Sequence, residues 1–460
     1  MTPGNVASND TIVAPASGAG LAAIAVIRLS GPAARAVLEA LCGGGPPARH
    51  AALRDIGPPR RPTIDRGLVL WFPAPLSFTG EDMAELHVHG GRAVVAAVIE
   101  AVLSFPGTRL AEPGEFARRA FENGKLDLTE VEGLADLVQA ETEAQRRQAL
   151  AQAQGSLRRL YDGWRDELLR AQALIEAGLD FADEGDVIAD VGVKAESIVA
   201  TLRASIARHL AERSGERLRD GLSVVIAGPP NAGKSSLMNA LARRDVAIVS
   251  EEAGTTRDVI EVHLDLGGVP VMLIDTAGLR EAAGAVEAEG ISRALARAGD
   301  ADLVLWLVDA TAPQWDAPAG LIPDQSGQTR TNPEVIPVKP RVILVLNKID
   351  LAPGTGAGRE AVRVSAKTGE GIGVLVETLA ERAAIAAQSG AGASALTRTR
   401  HRVELEAVQA ALERFGDRSL SPELKAEELR IAANHLGRLT GRIDVEEVLG
   451  AIFAEFCIGK

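Results

Sequence analysis

Apolar positions change their spacing three times along this chain. Up to about residue 118 they come in short β-rich runs, Ile12 to Val13, Ile24 to Leu29, Leu68 to Phe72 and Ala84 to Val88. Glycines and prolines such as Pro58, Pro59, Pro73 and Pro75 break them up. Runs between such breakers predict the strands of a compact α+β domain over residues 1–118. From Pro113 to about Leu218 the spacing turns helical. Leu150, Leu157, Leu160, Tyr161, Trp164, Leu168, Ile175 and Leu179 recur at threes, fours and sevens, on one stripe of a long helix. Ile198, Leu202, Ile206 and Leu210 repeat the pattern. Residues 219–384 alternate apolar strand runs with helical ones, the order of a parallel-sheet α/β domain. Within them, Glu261 to Leu266 and Val269 to Ile274 flank Gly267 and Gly268 and predict a hairpin. Residues 313–340, rich in proline and polar side chains, predict an extended or disordered surface insertion.

Helices return beyond the Gly/Ala/Ser-rich linker from Gln388 to Ala395. Ser421 is an N-cap with Pro422 at the first helical position, and Gly441 stops that helix. Asp444, with Glu447 three residues on, caps the last one. A helical layer on both sides of the α/β stretch suggests one helical domain, residues 119–218 plus 385–460, with residues 219–384 inserted into it. Two separate helical domains are the alternative. The expected fold class is multidomain α/β plus α.

Charge narrows the partners more than the fold. A net charge of −13 argues against a broad basic face that binds nucleic acid unaided, so any RNA contact is local or borrowed from a partner. Cys42 and Cys457 lie far apart and give no disulfide framework, which fits a reducing compartment. The N-terminus carries no signal-peptide core and no apolar run approaches the ~18 residues of a membrane span. A cytoplasmic protein without membrane contact is expected.

The chemistry starts at Gly228-Pro-Pro-Asn231-Ala232-Gly233-Lys234-Ser235, a full G-x-x-x-x-G-K-[ST] phosphate loop. It lies between an apolar run, Ser223 to Ala227, and a helix start, Ser235 to Leu241, the context the motif requires. Its glycines let backbone N–H groups point inward at phosphates, Lys234 adds a point charge, and the Ser235 hydroxyl suits Mg2+. Asp275-Thr276-Ala277-Gly278 ends a second strand. Asp275 fits a Mg2+ carboxylate and Gly278 an N–H to the γ-phosphate. Asn347-Lys348-Ile349-Asp350 ends a third. A carboxylate there accepts both N–H groups of a guanine edge, which adenine does not offer, while the Lys348 stem covers the ring. Ser365-Ala366-Lys367 fits a backbone contact to the guanine carbonyl. Four signals in this order predict a Ras-like GTP-binding domain.

Between the first two motifs lies Gly254-Thr255-Thr256-Arg257-Asp258. A threonine here can close onto Mg2+ when the γ-phosphate is present; Thr256 is the choice and Thr255 the competitor. Leu279 stands where signalling GTPases carry a glutamine that orients the attacking water, a task leucine cannot perform. No arginine finger is marked, although Arg257 and Arg280 are candidates. Asn231 is placed to help hold a monovalent cation that neutralises transition-state charge. Glu281, Glu287 and Glu289 are candidates for water activation.

These segments, with Asp275-Thr-Ala-Gly-Leu-Arg280, resemble the MnmE (TrmE) family of tRNA-modifying GTPases. So do Ala25-Val-Ile-Arg28-Leu-Ser-Gly31, Phe78-Thr-Gly-Glu-Asp-Met-Ala-Glu85-Leu-His-Val-His-Gly-Gly91, the run from Pro113 through Lys125 to Leu128, and the end Cys457-Ile-Gly-Lys460. The resemblance spans nearly the whole chain apart from residues 313–340. It implies a folate-binding, dimerising N-terminal domain, a helical domain split around the G domain, and a homodimer whose G domains meet. It also implies a heterotetramer with the FAD-carrying flavoprotein MnmG (GidA). Potassium-stimulated GTP hydrolysis would drive addition of a carboxymethylaminomethyl or aminomethyl group to carbon 5 of the wobble uridine of certain tRNAs. The tRNA would be met largely through the partner. A tetrahydrofolate, 5-formyl or 5,10-methylene, would donate the one-carbon unit.

Carried over by motif position, GTP would be contacted by Asn231, Ala232, Gly233, Lys234, Ser235 and Ser236, and by Ser250, Glu251, Glu252, Ala253, Gly254, Thr255 and Thr256. Asp275, Thr276, Ala277 and Gly278, then Asn347, Lys348, Asp350, Ser365, Ala366 and Lys367, complete that set. Asn231, Ser250, Glu252 and Thr255 would surround K+, the middle two through backbone carbonyls. Ser235 and Thr256 would ligate Mg2+. Glu287 would orient water, matching the family's Val-Glu pair, with Glu289 as competitor. Arg28, Glu85, Lys125 and Lys460 would contact the folate. The chemistry agrees, since a carboxylate holds the amino-pyrimidinone edge of a pterin and its glutamate tail needs cations. Cys457 would sit near the folate, with a nucleophilic part left open.

Two other functions fit parts of the sequence. One is a ribosome-assembly or signalling GTPase switch; the other is a folate-dependent one-carbon transferase with GTP merely regulatory. His87 and His89 share one strand face and could pair on a metal, but no third ligand is near in sequence. Cys42 reads as a small buried apolar residue.

Overall fold

The computed structural model describes residues 10–18, 20–180, 185–212, 214–244, 246–248, 261–275, 301–315, 342–356, 358–388 and 396–443, with 449, 452, 453, 456 and 459. The chain gathers into two compact units, one of Met1–Val138, Gln152–Arg203 and Ala407–Lys460, the other of Gln139–Ala151 and Ala204–Glu406.

The first unit opens with β1 (Thr11–Pro15), β2 (Ala22–Ser30), α1 (Ala34–Cys42), β3 (Ala52–Ile56), β4 (Asp65–Phe72), β5 (Met83–Gly90), α2 (Arg92–Leu103), β6 (Thr108–Leu110) and α3 (Glu115–Glu122). The strands form one sheet in the order β3-β4-β5-β2-β1-β6, antiparallel except for β1 with β6. Apolar runs do not reveal β3, which carries Arg54 and Asp55 in its centre, or β6, which has three residues.

Alternation gives the sheet two unlike faces. Ala25, Ile27 and Leu29 of β2 and Ala84, Leu86 and Val88 of β5 point to one face. There Val37, Leu38 and Leu41 of α1 and Val98 and Val102 of α2 complete a buried core. The alternate residues, Arg28, Glu85 and His87 among them, lie on the other face. That face is covered at one end by Phe116 of α3, packed on Ile12, Ala14 and Met83. Elsewhere it leaves Ile24, Leu53 and Leu68 exposed.

Charge ties α3 to the sheet. Arg119, 3% exposed, donates to Asp10 (2.9 Å), Glu81 (3.1 Å) and Glu115 (2.9 Å). Arg109 of β6 reaches Asp10 and Glu115, both at 2.5 Å. Burial pushes the Glu115 carboxyl up, but the Arg109 and Arg119 guanidiniums outweigh it and hold the group below the usual carboxylate range. Asp10 is held low in the same way. Glu81 and Arg119, inside two of the resembling segments, thus have a structural task.

Five helices follow, α4 (Leu128–Gln139), α5 (Glu143–Ala153), α6 (Ser156–Asp180), α7 (Gly185–Ala211) and α8 (Ser214–Asp220). The single long helix expected over Leu150 to Leu179 is two. Gly155 takes a left-handed φ of 82° between α5 and α6, which a continuous right-handed helix excludes. Tyr161, Trp164 and Leu168 of α6 and Leu202 and Ile206 of α7 are buried, as their spacing predicts.

The second unit holds β7 (Leu222–Ala227), α9 (Lys234–Ala242), β8 (Ala247–Ile248), β9 (Glu261–Leu266), β10 (Val269–Asp275), β11 (Leu303–Asp309), β12 (Val342–Asn347), β13 (Val362–Arg363) and α10 (Ile372–Gln388). Strand order is β13-β12-β11-β7-β10-β9-β8, parallel from β13 to β10, with the expected β9–β10 hairpin antiparallel. The chain leaves β7 for the β10 side and later returns on the β11 side. The order therefore reverses beside β7, and the carboxyl ends there open into the crevice where such sheets bind ligands.

The chain continues through α11 (Thr399–Phe415) and α12 (Pro422–Thr440). Gly441 ends α12 in the left-handed conformation, as expected. Ser421 precedes Pro422 in extended backbone but makes no side-chain cap bond. Asp444 and Glu447 lie outside the described residues, as does the insertion apart from Pro313 to Trp315. Trp315 packs under the Arg359 guanidinium at 4.6 Å.

Arg119→Ala takes the cation from Glu81 and one of two arginines from Asp10 and Glu115, at a cost of about 3 kcal/mol. We expect a large drop in thermal midpoint at neutral pH that shrinks as pH falls through the usual carboxylate range. The folded pKa values of Asp10 and Glu115 are depressed, so their contribution is present above the unfolded values and lost below them. A loss independent of pH, in thermal scans at several pH values, would contradict this.

Candidate functional site

The phosphate loop runs from the end of β7 to the first residue of α9. Gly233 is left-handed at φ 94°, and a Cβ there would collide with the Asn347 amide. Lys234 Nζ donates to the carbonyl oxygens of Gly228 (3.0 Å) and Pro229 (2.9 Å), so its ammonium lies within the loop. That charge and the N–H groups at the start of α9 form a cradle for phosphate. Ser235 and Ser236 stand in the first turn of α9. Asp275, opposite Ile226 in the β10–β7 register, ends its strand at the same edge of the sheet.

The base side is built on Asn347, which is 2% exposed. Its Nδ2 donates to Ala232 O (2.8 Å) and its Oδ1 accepts the Ala366 N–H (3.0 Å). Both ends of the amide are used, which fixes its orientation. Lys348, left-handed at φ 65°, donates to Asn231 O (2.7 Å) and to Asp309 Oδ2 (2.6 Å). Burial pushes the Asp309 carboxyl up, but the Lys348 ammonium and Thr311 hold it below its ordinary range. Ser365 Oγ donates to Asp350 Oδ1 (2.7 Å) and accepts the Thr368 N–H (3.1 Å). Asp350 itself is exposed, a braced carboxylate open to a ligand. The motifs do not name Asp309; its signal was a carboxylate at the carboxyl end of β11. Lys367 follows Ala366 on the same loop.

Other expected residues of this site lie outside the described residues: Ser250, Glu251, Glu252, Ala253, Gly254, Thr255, Thr256, Thr276, Ala277, Gly278 and Glu287. The same holds for Arg257, Leu279, Arg280, Glu281 and Glu289, and for Cys457 and Lys460.

A second constellation occupies the open sheet face of the first unit. Arg28 Nε and Nη2 both donate to Glu85 Oε1 (3.1 and 2.9 Å), and Glu85 Oε2 meets His87 Nε2 at 3.3 Å. The Arg28 guanidinium lies over the rings of Phe78 (5.6 Å) and Phe116 (5.8 Å). Lys125 Nζ donates to Pro75 O (3.0 Å), and its stem lies beside Gly80 in the loop that carries Phe78. Gly459 is buried so close to β1 that a Cβ would collide with the Pro15 carbonyl. Pro15 pairs with Ile27, the neighbour of Arg28. Gly459 therefore lies against β1, the strand next to the one that carries Arg28.

His87 is engaged by Glu85, and His89 Nδ1 meets Asp65 Oδ1 at 2.8 Å. Among the described residues, no three His, Cys, Asp or Glu side chains are grouped to hold a metal. Burial pushes the Cys42 thiol up to about 11, which makes it an inert core residue.

A parallel sheet with a phosphate loop at its switch point and an Asn-Lys-x-Asp base reader defines a P-loop GTP-binding protein. Residues 128–457 match the family described as the MnmE helical domain, and residues 11–125 match the GTP-binding protein TrmE N-terminus. The tRNA modification GTPase MnmE of Parvibaculum lavamentivorans is 53% identical over 461 residues, 98% of this chain and 100% of that one. That of Chelativorans sp. is 51% identical over 460 residues, 100% of both. The chain belongs to the MnmE family of tRNA modification GTPases. Among solved structures, the G domain of the T. maritima FeoB iron transporter is similar at 24% identity over 35% of this chain and 98% of that one, with a TM-score of 0.23, too low to carry weight. No helix among the described residues is long and apolar enough to cross a membrane.

On the motif's expectation that the Asp350 carboxylate accepts two hydrogen bonds from guanine, Asp350→Ala removes both, each worth about 1.5–3 kcal/mol. We expect GTP affinity to fall by roughly 100-fold or more, with weak ATP binding unchanged, in a fluorescent-nucleotide titration.

Proposed function

We propose that this chain hydrolyses GTP to drive addition of a carboxymethylaminomethyl group to carbon 5 of the wobble uridine of certain tRNAs. It acts as a cytoplasmic homodimer, in a heterotetramer with the flavoprotein MnmG (GidA), which carries the FAD and most of the tRNA contact. The supporting observation is that one chain carries two built sites. In addition to the nucleotide loops it has the Arg28–Glu85 pair, with Gly459 packed against the neighbouring strand β1, a feature that a bare GTPase switch of the ribosome-assembly kind does not need. The domain reading is residues 1–118 for folate and dimerisation, 119–218 plus 385–460 for a helical domain, and 219–384 for the G domain inserted into it. The exposed Ile24, Leu53 and Leu68 of the open sheet face favour a partner copy there.

At the nucleotide, Lys234 and the loop N–H groups take the phosphates, and Asn347, Lys348, Asp350 and Ser365 take the base. Ser235 and Thr256 hold Mg2+, near Asp275. Asn231, Ser250, Glu252 and Thr255 hold K+; Lys348 engages the Asn231 carbonyl, which leaves the side-chain amide oxygen as the ligand. The two cations offset charge that grows on the phosphoryl oxygens. Glu287 orients the water in place of the glutamine that Leu279 replaces. At the folate face, the half-buried Glu85 carboxylate, already braced by Arg28, suits the amino-pyrimidinone edge of a reduced pterin, and the Phe78 ring flanks it. Lys125 and Lys460 suit the glutamate tail, and Cys457 stands near. A tetrahydrofolate bound there supplies a one-carbon unit.

Hydrolysis should be faster in K+ than in Na+, and Glu287→Ala should lose at least ~100-fold in turnover while keeping GTP binding. Equal rates in the two salts remove the cation; the same loss in Glu289→Ala instead displaces Glu287. Calorimetry of the full chain with 5-formyltetrahydrofolate should show binding that Glu85→Ala abolishes. No binding by the intact protein would favour the GTPase switch.

A further inference from the structure

Charge is spread unevenly in the first unit. Between Gly43 and Arg66 the chain carries five arginines, Arg49, Arg54, Arg60, Arg61 and Arg66, against two aspartates, in a protein whose net charge is −13. The aspartates are taken: Asp65 by His89 (2.8 Å), Asp55 by Arg66 (3.6 Å). Among the described residues, Arg54, Arg60 and Arg61 have no ion-pair partner. Arg54, Arg61 and Arg66 line a cleft of about 470 Å³ between the carboxyl end of α1 and the β3–β4 hairpin, with Cys42 and Asp55 also in its wall. Arg60 is exposed on the hairpin beside it.

Arginines near a helix C-terminus often serve the helix's last carbonyls. Here the backbone already does so. Leu41 O accepts the Gly57 N–H (2.9 Å) and Glu39 O accepts the Gly44 N–H (3.1 Å). Arg54 Nη1 donates to Leu53 O (3.1 Å), not to α1. Among the described residues, Arg54, Arg60 and Arg61 thus stand at the cleft without a carboxylate, while Arg66 keeps Asp55. Guanidinium forks match phosphate oxygens in geometry and shed water easily. Arg54 on the edge strand β3 and Arg60 and Arg61 in the connection to β4 occupy separate points around the cleft, which suits spaced phosphates better than a single anion.

We propose that this arginine-lined cleft is a contact for the sugar–phosphate backbone of tRNA. The proposal rests on the reading that the chain acts on tRNA, and supplies the local basic surface that an acidic chain requires for it. The test uses the full-length chain alone, with a labelled tRNA transcript bearing a wobble uridine, in anisotropy titrations over a KCl series. The Arg54→Gln, Arg60→Gln, Arg61→Gln triple variant should bind at least ~10-fold more weakly, with a salt slope flatter by about 2. Lysine at the same three positions should restore most of the affinity. GTP hydrolysis and 5-formyltetrahydrofolate binding should stay unchanged, which reports an intact fold. Equal affinity and slope in wild type and glutamine variant would overturn the cleft and leave the tRNA-modification reading standing. A wild type that binds no tRNA would also overturn the cleft. Wobble-uridine analysis of cells lacking the chain then tells whether that reading falls with it.

Discussion

The nucleotide site depends on one buried amide. Asn347 spans from the phosphate loop at Ala232 to the loop at Ala366, so three strand-end loops share a single side chain. Fully enclosed, it has no water to fall back on, and each lost partner leaves a buried polar atom at a cost of about 1–3 kcal/mol. Its position also dictates that residue 233 carry no side chain. Lys348 and Ser365 extend the brace, the one to Asn231 and Asp309, the other to Asp350. The residues proposed to recognise guanine and those proposed to hold phosphate are thus one hydrogen-bonded unit.

The first unit solves a different problem with the alternation of a sheet. One face buries its apolar residues under α1 and α2, which frees the other for Arg28, Glu85 and His87. The Arg109–Arg119 cluster holds α3 against the end of that face, where Phe116 backs the Arg28 guanidinium. Rigid backing of this kind keeps a carboxylate such as Glu85 in one orientation, which recognition of a flat, polar heterocycle requires.

Much of this was legible because phosphate and guanine chemistry force particular residues to local spacings. The phosphate loop, Asp275 and the Asn347 to Asp350 segment all end strands of one sheet, as a linear reading predicts. The Arg28–Glu85 pair was legible through family resemblance; its physical cause, the β2–β5 register, was not. Strand β3 escaped notice because its centre is polar. The break at Gly155 escaped because apolar spacing continues across it. The Arg119 cluster joins residues up to 109 positions apart, so no local pattern signals it. Asp309 lacks a motif of its own and acquires its task from Lys348.

The central claim is that GTP turnover at one site powers modification chemistry associated with the other. Mass spectrometry of wobble nucleosides tests it most directly, on tRNA from cells that lack this chain and carry back either the wild type or Lys234→Ala. The carboxymethylaminomethyl nucleoside should vanish on deletion and return with the wild type alone. Its persistence on deletion, or its full return with Lys234→Ala, would contradict the claim.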